Sequence, residues 1–125
     1  MNQKVLKTIE YTKIIALLKE EAGSALGKEK AESLLPSSRR EEVEKALLET
    51  EDAESRIRLK GELAFRSLVD IRFFFPRLEM GAALSLPELY SVLQVLELTK
   101  RIKEQGGEIE DSLTSYFSGL QPLEE

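Results

Sequence analysis

Apolar residues return at three- and four-residue steps through most of the chain, and the steps break at a small set of glycines, prolines and hydroxyl residues. Asn2 is placed to cap a short first helix carrying Val5, Leu6 and Ile9. Thr12 is placed to cap a second, with Ile14, Leu17, Leu18 and Ala22 on its apolar side and Gly23 at its end. Ser24 opens a third, to about Leu34. Pro36 stops it, because the residue before proline is pushed out of the helical region.

The best-defined element follows. Ser38-Arg39-Arg40-Glu41 reads as a capping box, and Val43, Ala46, Leu47, Thr50, Ala53 and Ile57 form a narrow seam behind it. Glu41–Lys45 and Glu54–Arg58 are i,i+4 pairs in the favourable order. Gly61 marks the end in a left-handed conformation. Residues 62–69 read as a loop. Asp70 is placed to cap a helix containing Phe73-Phe74-Phe75, kinked or split at Pro76 and ended by Gly81. One or two of the three phenylalanines are expected in the core.

Ser85-Leu86-Pro87-Glu88 is a second capping box, with proline in the first turn where its missing amide does no harm. The helix behind it is apolar nearly all round, from Leu86 to Ile102, and is expected to end at Gly106-Gly107. Such a helix is central or needs cover, from later helices or from a second copy of the chain. A last short helix is expected at 109–118, before Leu120-Gln121-Pro122-Leu123 trails into an acidic end. No alternation supports a strand. The fold class is therefore all-α, an irregular bundle of about six helices. It includes a long helix near 39–60 and an apolar helix near 86–105.

Composition narrows the chemistry. The 125 residues amount to one domain, 42% hydrophobic and 33% charged. With no Cys there is no disulfide framework or thiolate metal site. With no His, the usual general base near neutral pH and the commonest metal ligand are missing. Phosphate-loop and dinucleotide fingerprints are absent too, and the adjacent carboxylate pairs (Glu20-Glu21, Glu41-Glu42, Glu51-Asp52) point in different directions on a helix. Neither a catalytic nor a metal site is expected. No apolar run reaches bilayer length and no leader is expected, so the location expected is cytoplasmic.

The net charge of −5 is unevenly spread. Residues 1–55 carry net −3, residues 56–77 net +4 and residues 78–125 net −6. The acidic total argues against a nonspecific grip on nucleic acid, which needs phosphates to be neutralised. Only the basic island offers a place for an anionic partner. Its candidate contact residues are Arg56, Arg58, Lys60, Arg66 and Arg72, with Arg77 beside them. The plainer account is a solvated face paired with acidic neighbours. For Arg72 a buried or interfacial ion pair comes first and a phosphate contact second.

Taken in order, the breaks form a linear pattern. The chain opens Leu6-Lys7-Thr8-Ile9-Glu10-Tyr11-Thr12-Lys13-Ile14 and continues through Gly27-Lys28, Leu35-Pro36-Ser37-Ser38, Glu49-Thr50, Lys60-Gly61, Phe65 and Asp70-Ile71-Arg72. Arg77, Glu79, Gly81, Leu84-Ser85 and Glu88-Leu89 follow. This resembles the N-terminus of the second bacterial MutS lineage, the MutS-two branch, over residues 1 to about 98. One departure is Phe73-Phe74-Phe75-Pro76, where the family places proline directly after the arginine.

The resemblance implies a helical core and lever region, with 1–125 a single N-terminal module of a larger core domain continuing beyond residue 125. In the full-length family it leads to clamp helices, an ATPase using ATP and Mg, and a Smr endonuclease domain. Family members form homodimers, act on branched DNA, suppress homologous recombination and in some bacteria bind stalled ribosomes. For this segment the resemblance implies no cofactor, no catalytic residue and no membrane partner. Its role is then structural, toward the rest of the same polypeptide; the alternative is a nucleic-acid-contacting module using the island 56–77.

Overall fold

A computed structural model describes residues 2–121. It is all-α, with seven α-helices and no strand among the described residues: α1 (Gln3–Thr8), α2 (Tyr11–Glu21), α3 (Ala25–Glu32), α4 (Arg40–Lys60), α5 (Phe74–Glu79), α6 (Leu86–Gly106) and α7 (Thr114–Ser118). A 3-10 turn at Phe65–Ser67 lies in the segment expected to be loop. Of the acidic end, residues 122–125 lie outside the described residues.

Three helix starts follow from local chemistry. Asn2 accepts from the Lys4 amide at 3.0 Å, and Ser24 accepts from the Gly27 amide at 3.0 Å. Ser85 and Glu88 form the full reciprocal box, with Pro87 in the first turn. Three others begin differently from expectation. Helix α2 starts before Thr12, because Glu10 turns left-handed (φ 57°) and brings Tyr11 into the helix. At α4 the expected box of Ser38 and Glu41 does not form, and the cap residue makes no side-chain cap bond. Arg39 occupies the cap position, Ser37 accepts from the Arg39 amide at 3.1 Å, and Glu42 rather than Glu41 reaches back to Ser37 and Arg39. Asp70 does not cap α5. Its carboxylate accepts from the Arg72 amide in a local turn, and the helix begins at Phe74.

That late start removes the kink expected at Pro76. Proline now falls in the first helical turn, where no intrahelical partner waits for its amide. Gly81 ends α5 as expected, at φ 84°, with Gly81 and Ala82 amides closing on the Leu78 and Arg77 carbonyls at 2.9 Å each.

The packing is sparse. Helices α1, α2 and α3 form one cluster, held also by the Tyr11 hydroxyl donating to the Leu34 carbonyl at 2.8 Å and by Lys19–Glu32 at 2.8 Å. Helix α7 packs on the end of α6. Ala31, Leu98 and Ile102 are the buried hydrophobic residues among those described. Phe74 is half-buried while Phe73 and Phe75 are exposed, so the aromatic run supplies less core than expected. Helix α6 is divided: Leu98 and Ile102 in its second half are buried, whereas Leu86, Leu89, Tyr90 and Leu93 in its first half are exposed. The accessible surface is 10209 Å² for 14.1 kDa, about half as much again as the roughly 6,700 Å² of a compact monomer of that mass.

Candidate functional site

The polar centre of the molecule is built on Arg56. Its position on α4 shares a face with Glu49 and Asp52, at helical steps of three and four. That face meets the turn between α6 and α7. The Arg56 guanidinium donates to both carboxylate oxygens of Asp111 at 2.7 Å each, to the Gly106 carbonyl at 2.7 Å and to the Ile109 carbonyl at 2.9 Å. Its Cζ lies 4.5 Å from the centroid of the Phe117 ring. The Gly106 carbonyl is one that the end of α6 leaves without a helical partner, and the Ile109 carbonyl belongs to the turn that follows. Arg56 therefore satisfies a helix terminus, a carboxylate and an aromatic face at once. The planar fork makes this possible, and a lysine ammonium could not reproduce it.

The surroundings hold this clamp in place. Asp111 also accepts from the Leu113 amide at 2.9 Å, and its own amide donates to Thr114 at 2.8 Å. Hydrogen bonds from Arg56 hold the Asp111 carboxyl below its ordinary pKa. Asp52 accepts from the Ser112 amide at 3.0 Å. The Tyr116 hydroxyl donates to Glu49 at 3.0 Å, and that bond pushes the phenol up from its ordinary value. Gly106, expected only as a helix stop, is the last helical residue and is buried; a Cβ there would lie 2.0 Å from Phe117 Cδ1.

The five island residues do not assemble into one surface. Arg56 points inward and is 8% exposed. Arg58 pairs with Glu54 on the solvent side of α4. Lys60 pairs with Glu108. Arg72 bridges Asp70 at 2.8 Å and Glu29 at 2.7 Å, which raises its pKa further and lowers that of Asp70. Arg77 beside them pairs with Glu88, whose carboxyl is lowered by that bond and by the Ser85 amide. Arg66 carries no ion pair among the described residues and lies at a cavity of about 470 Å³. That cavity is lined by Arg56, Ile57, Phe65, Ile109, Leu113 and Phe117 among others.

Asp111, Gly106 and Phe117 were not legible as partners of Arg56. The last helix, expected over 109–118, begins only at Thr114, and nothing local ties Asp111 in the preceding turn to a residue 55 positions earlier. Among the described residues no cluster of His, Cys, Asp or Glu is placed to hold a metal, and no helix is long and apolar enough to cross a membrane.

Fold and site together define an all-helical module with an internal arginine clamp and extensive uncovered apolar surface. Comparison with known proteins gives its kinship. The chain is 41% identical to the endonuclease MutS2 of Lachnoclostridium phytofermentans, over 98% of its own length and 17% of that protein. It is 41% identical to the endonuclease MutS2 of Brevibacillus brevis over 82% of the chain and 13% of the relative. With the putative endonuclease MutS2 of Bacillus subtilis it shares 38% identity over 87% of the chain and 15% of the relative. The chain belongs to the MutS2 family, matching a segment of its members, as the order of its helix breaks implied. It spans about one sixth of the length of these relatives. No family profile matches the chain, and no solved structure matches it.

Proposed function

We propose that the chain is the N-terminal helical core portion of a MutS2-type protein, and that its own role is structural rather than catalytic. The observation that carries this is the uncovered surface. An accessible area of 10209 Å² and exposed Leu86, Leu89, Tyr90 and Leu93 suit a piece of a larger body better than a finished domain. The arginine clamp supports the same reading, since its hydrogen bonds join α4 to the end of α6 and so suit a lever. The full-length protein is then an ATP-dependent, dimeric endonuclease acting on branched DNA, suppressing homologous recombination and engaging stalled ribosomes. ATP and Mg bind elsewhere in that polypeptide.

The ion pairs weigh against the alternative of a nucleic-acid contact through the basic island. Arg58, Lys60 and Arg72 already face carboxylates within the chain. The test is the gene product itself. Purified from its source, it is expected to be several times the mass of this chain, with ATP hydrolysis and DNA cleavage. A product of 14.1 kDa sinks the proposal.

A further inference from the structure

Helix α4 uses one face and leaves another empty. At about 100° per residue, Glu49, Asp52 and Arg56 lie together and are occupied by the α6–α7 turn. About 120° around the helix runs the apolar seam of Val43, Ala46, Leu47, Thr50 and Ile57. Val43 is 38% exposed, Leu47 64% and Ile57 51%. The seam covers about 21 Å of a helix about 31 Å long, with Glu54 on the same face between Thr50 and Ile57, and at its C-terminal end Ala53 and Ile57 line the 470 Å³ cavity.

Charge fixes the direction of whatever lies there. Residues 40–52 hold two basic and six acidic side chains; residues 53–60 hold three basic and one acidic. A helix built to suit its own macrodipole, acidic at its start and basic at its end, is attracted when antiparallel to α4 and repelled when parallel.

Area bears on the source. One seam of a few medium-sized side chains along a single helix falls short of the roughly 800 Å² per partner that a stable interface between separate molecules buries. A tethered helix meets the seam at an effective concentration in about the millimolar range and does not pay the full entropy of association. The MutS2 relatives are about six times as long as this chain.

We infer that a second α-helix, supplied by the same polypeptide outside residues 2–121, docks antiparallel on the seam of α4 and seats an apolar side chain from its N-terminal half in the cavity beside Ile57. This rests on the reading that the chain is part of a longer MutS2-type protein. The docked pair becomes a two-helix strut: the Arg56 face grips the end of α6 and the seam grips the incoming helix.

Cysteine labelling in the full-length protein tests it. Leu47→Cys and Ile57→Cys are compared with Ser55→Cys, which is exposed on the side of α4 away from the seam. Maleimide labelling at positions 47 and 57 is expected to be at least about tenfold slower than at position 55. Charge reversal of the C-terminal half, Arg58→Glu with Lys60→Glu, is expected to speed labelling of Ile57→Cys. Equal rates at the three positions overturn the inference while leaving the longer protein intact. Protection that fades on dilution assigns the seam to a second copy and overturns it as well. If the native product is only the length of this chain, this inference and the proposed function fall together.

Discussion

Replacing Arg56 by methionine keeps an unbranched apolar stem and removes the guanidinium with its donors. The change leaves the Asp111 carboxylate without its partner, and the Gly106 and Ile109 carbonyls lose donors at 2.7 Å and 2.9 Å. The side chains of Arg56 and Asp111 are 10% and 14% exposed, so water replaces little of what is lost. Each charge-assisted bond is worth about 1.5–3 kcal/mol, but four bonds on one group do not add independently. Breaking a buried ion pair by removing one partner costs about 3–5 kcal/mol, and that is the expected loss. Against a total stability of about 5–15 kcal/mol, and with a sparse core, the C-terminal part of the chain should lose most of its order. The assay is urea unfolding followed by circular dichroism, with Arg56→Met, Asp111→Leu and the double variant forming a cycle. The double variant should be less destabilised than the singles predict, because it leaves no orphaned charge. A loss below about 1 kcal/mol for Arg56→Met refutes the assignment of Arg56 to the clamp.

Gly106→Ala forces a methyl group to within 2.0 Å of the Phe117 ring, and should cost about 1–3 kcal/mol in the same unfolding assay; a neutral result means α7 does not pack as described. Ser85→Ala removes half of the α6 capping box and should cost about 1 kcal/mol, with Ser85→Asp restoring most of it. The Asp111 carboxyl is lowered in the fold, so its contribution is complete above about pH 4 and disappears as the pH falls through the lowered value. The melting temperature should accordingly fall below pH 4, and fall less steeply in Asp111→Asn.

The legible part of the fold is what neighbouring residues decide. Ser85 and Glu88 stand three apart and need nothing else to form their box, and Asn2 and Ser24 are caps of the same kind. Where two local solutions compete, the outcome turns on geometry the sequence does not display. Ser37 and Glu42 displace Ser38 and Glu41 at α4, and a left-handed Glu10 pre-empts Thr12 at α2. Pro76 is harmless because the helix starts two residues before it, a consequence of Asp70 turning onto Arg72.

Direction is harder still to foresee. Arg56 and Arg58 are two residues apart on one helix and look equivalent as charges, yet one is buried in a clamp and the other stands in solvent. The difference lies in a turn 50 to 55 residues further on. The seam of α4 was legible as apolar, but that the seam itself stands exposed was not.

Arg66 apart, the basic island is paired with carboxylates within the chain, which leaves a structural module rather than a nucleic-acid clamp. This is tested most directly by titrating the 125-residue chain against branched DNA and ribosomal RNA at 50 and 200 mM salt, with an Arg58→Glu, Lys60→Glu variant alongside. No salt-dependent binding tighter than the roughly 10⁻⁴ M of weak nonspecific contact is expected, and no difference between the two proteins. Micromolar binding that weakens steeply with salt and is lost in the variant contradicts it.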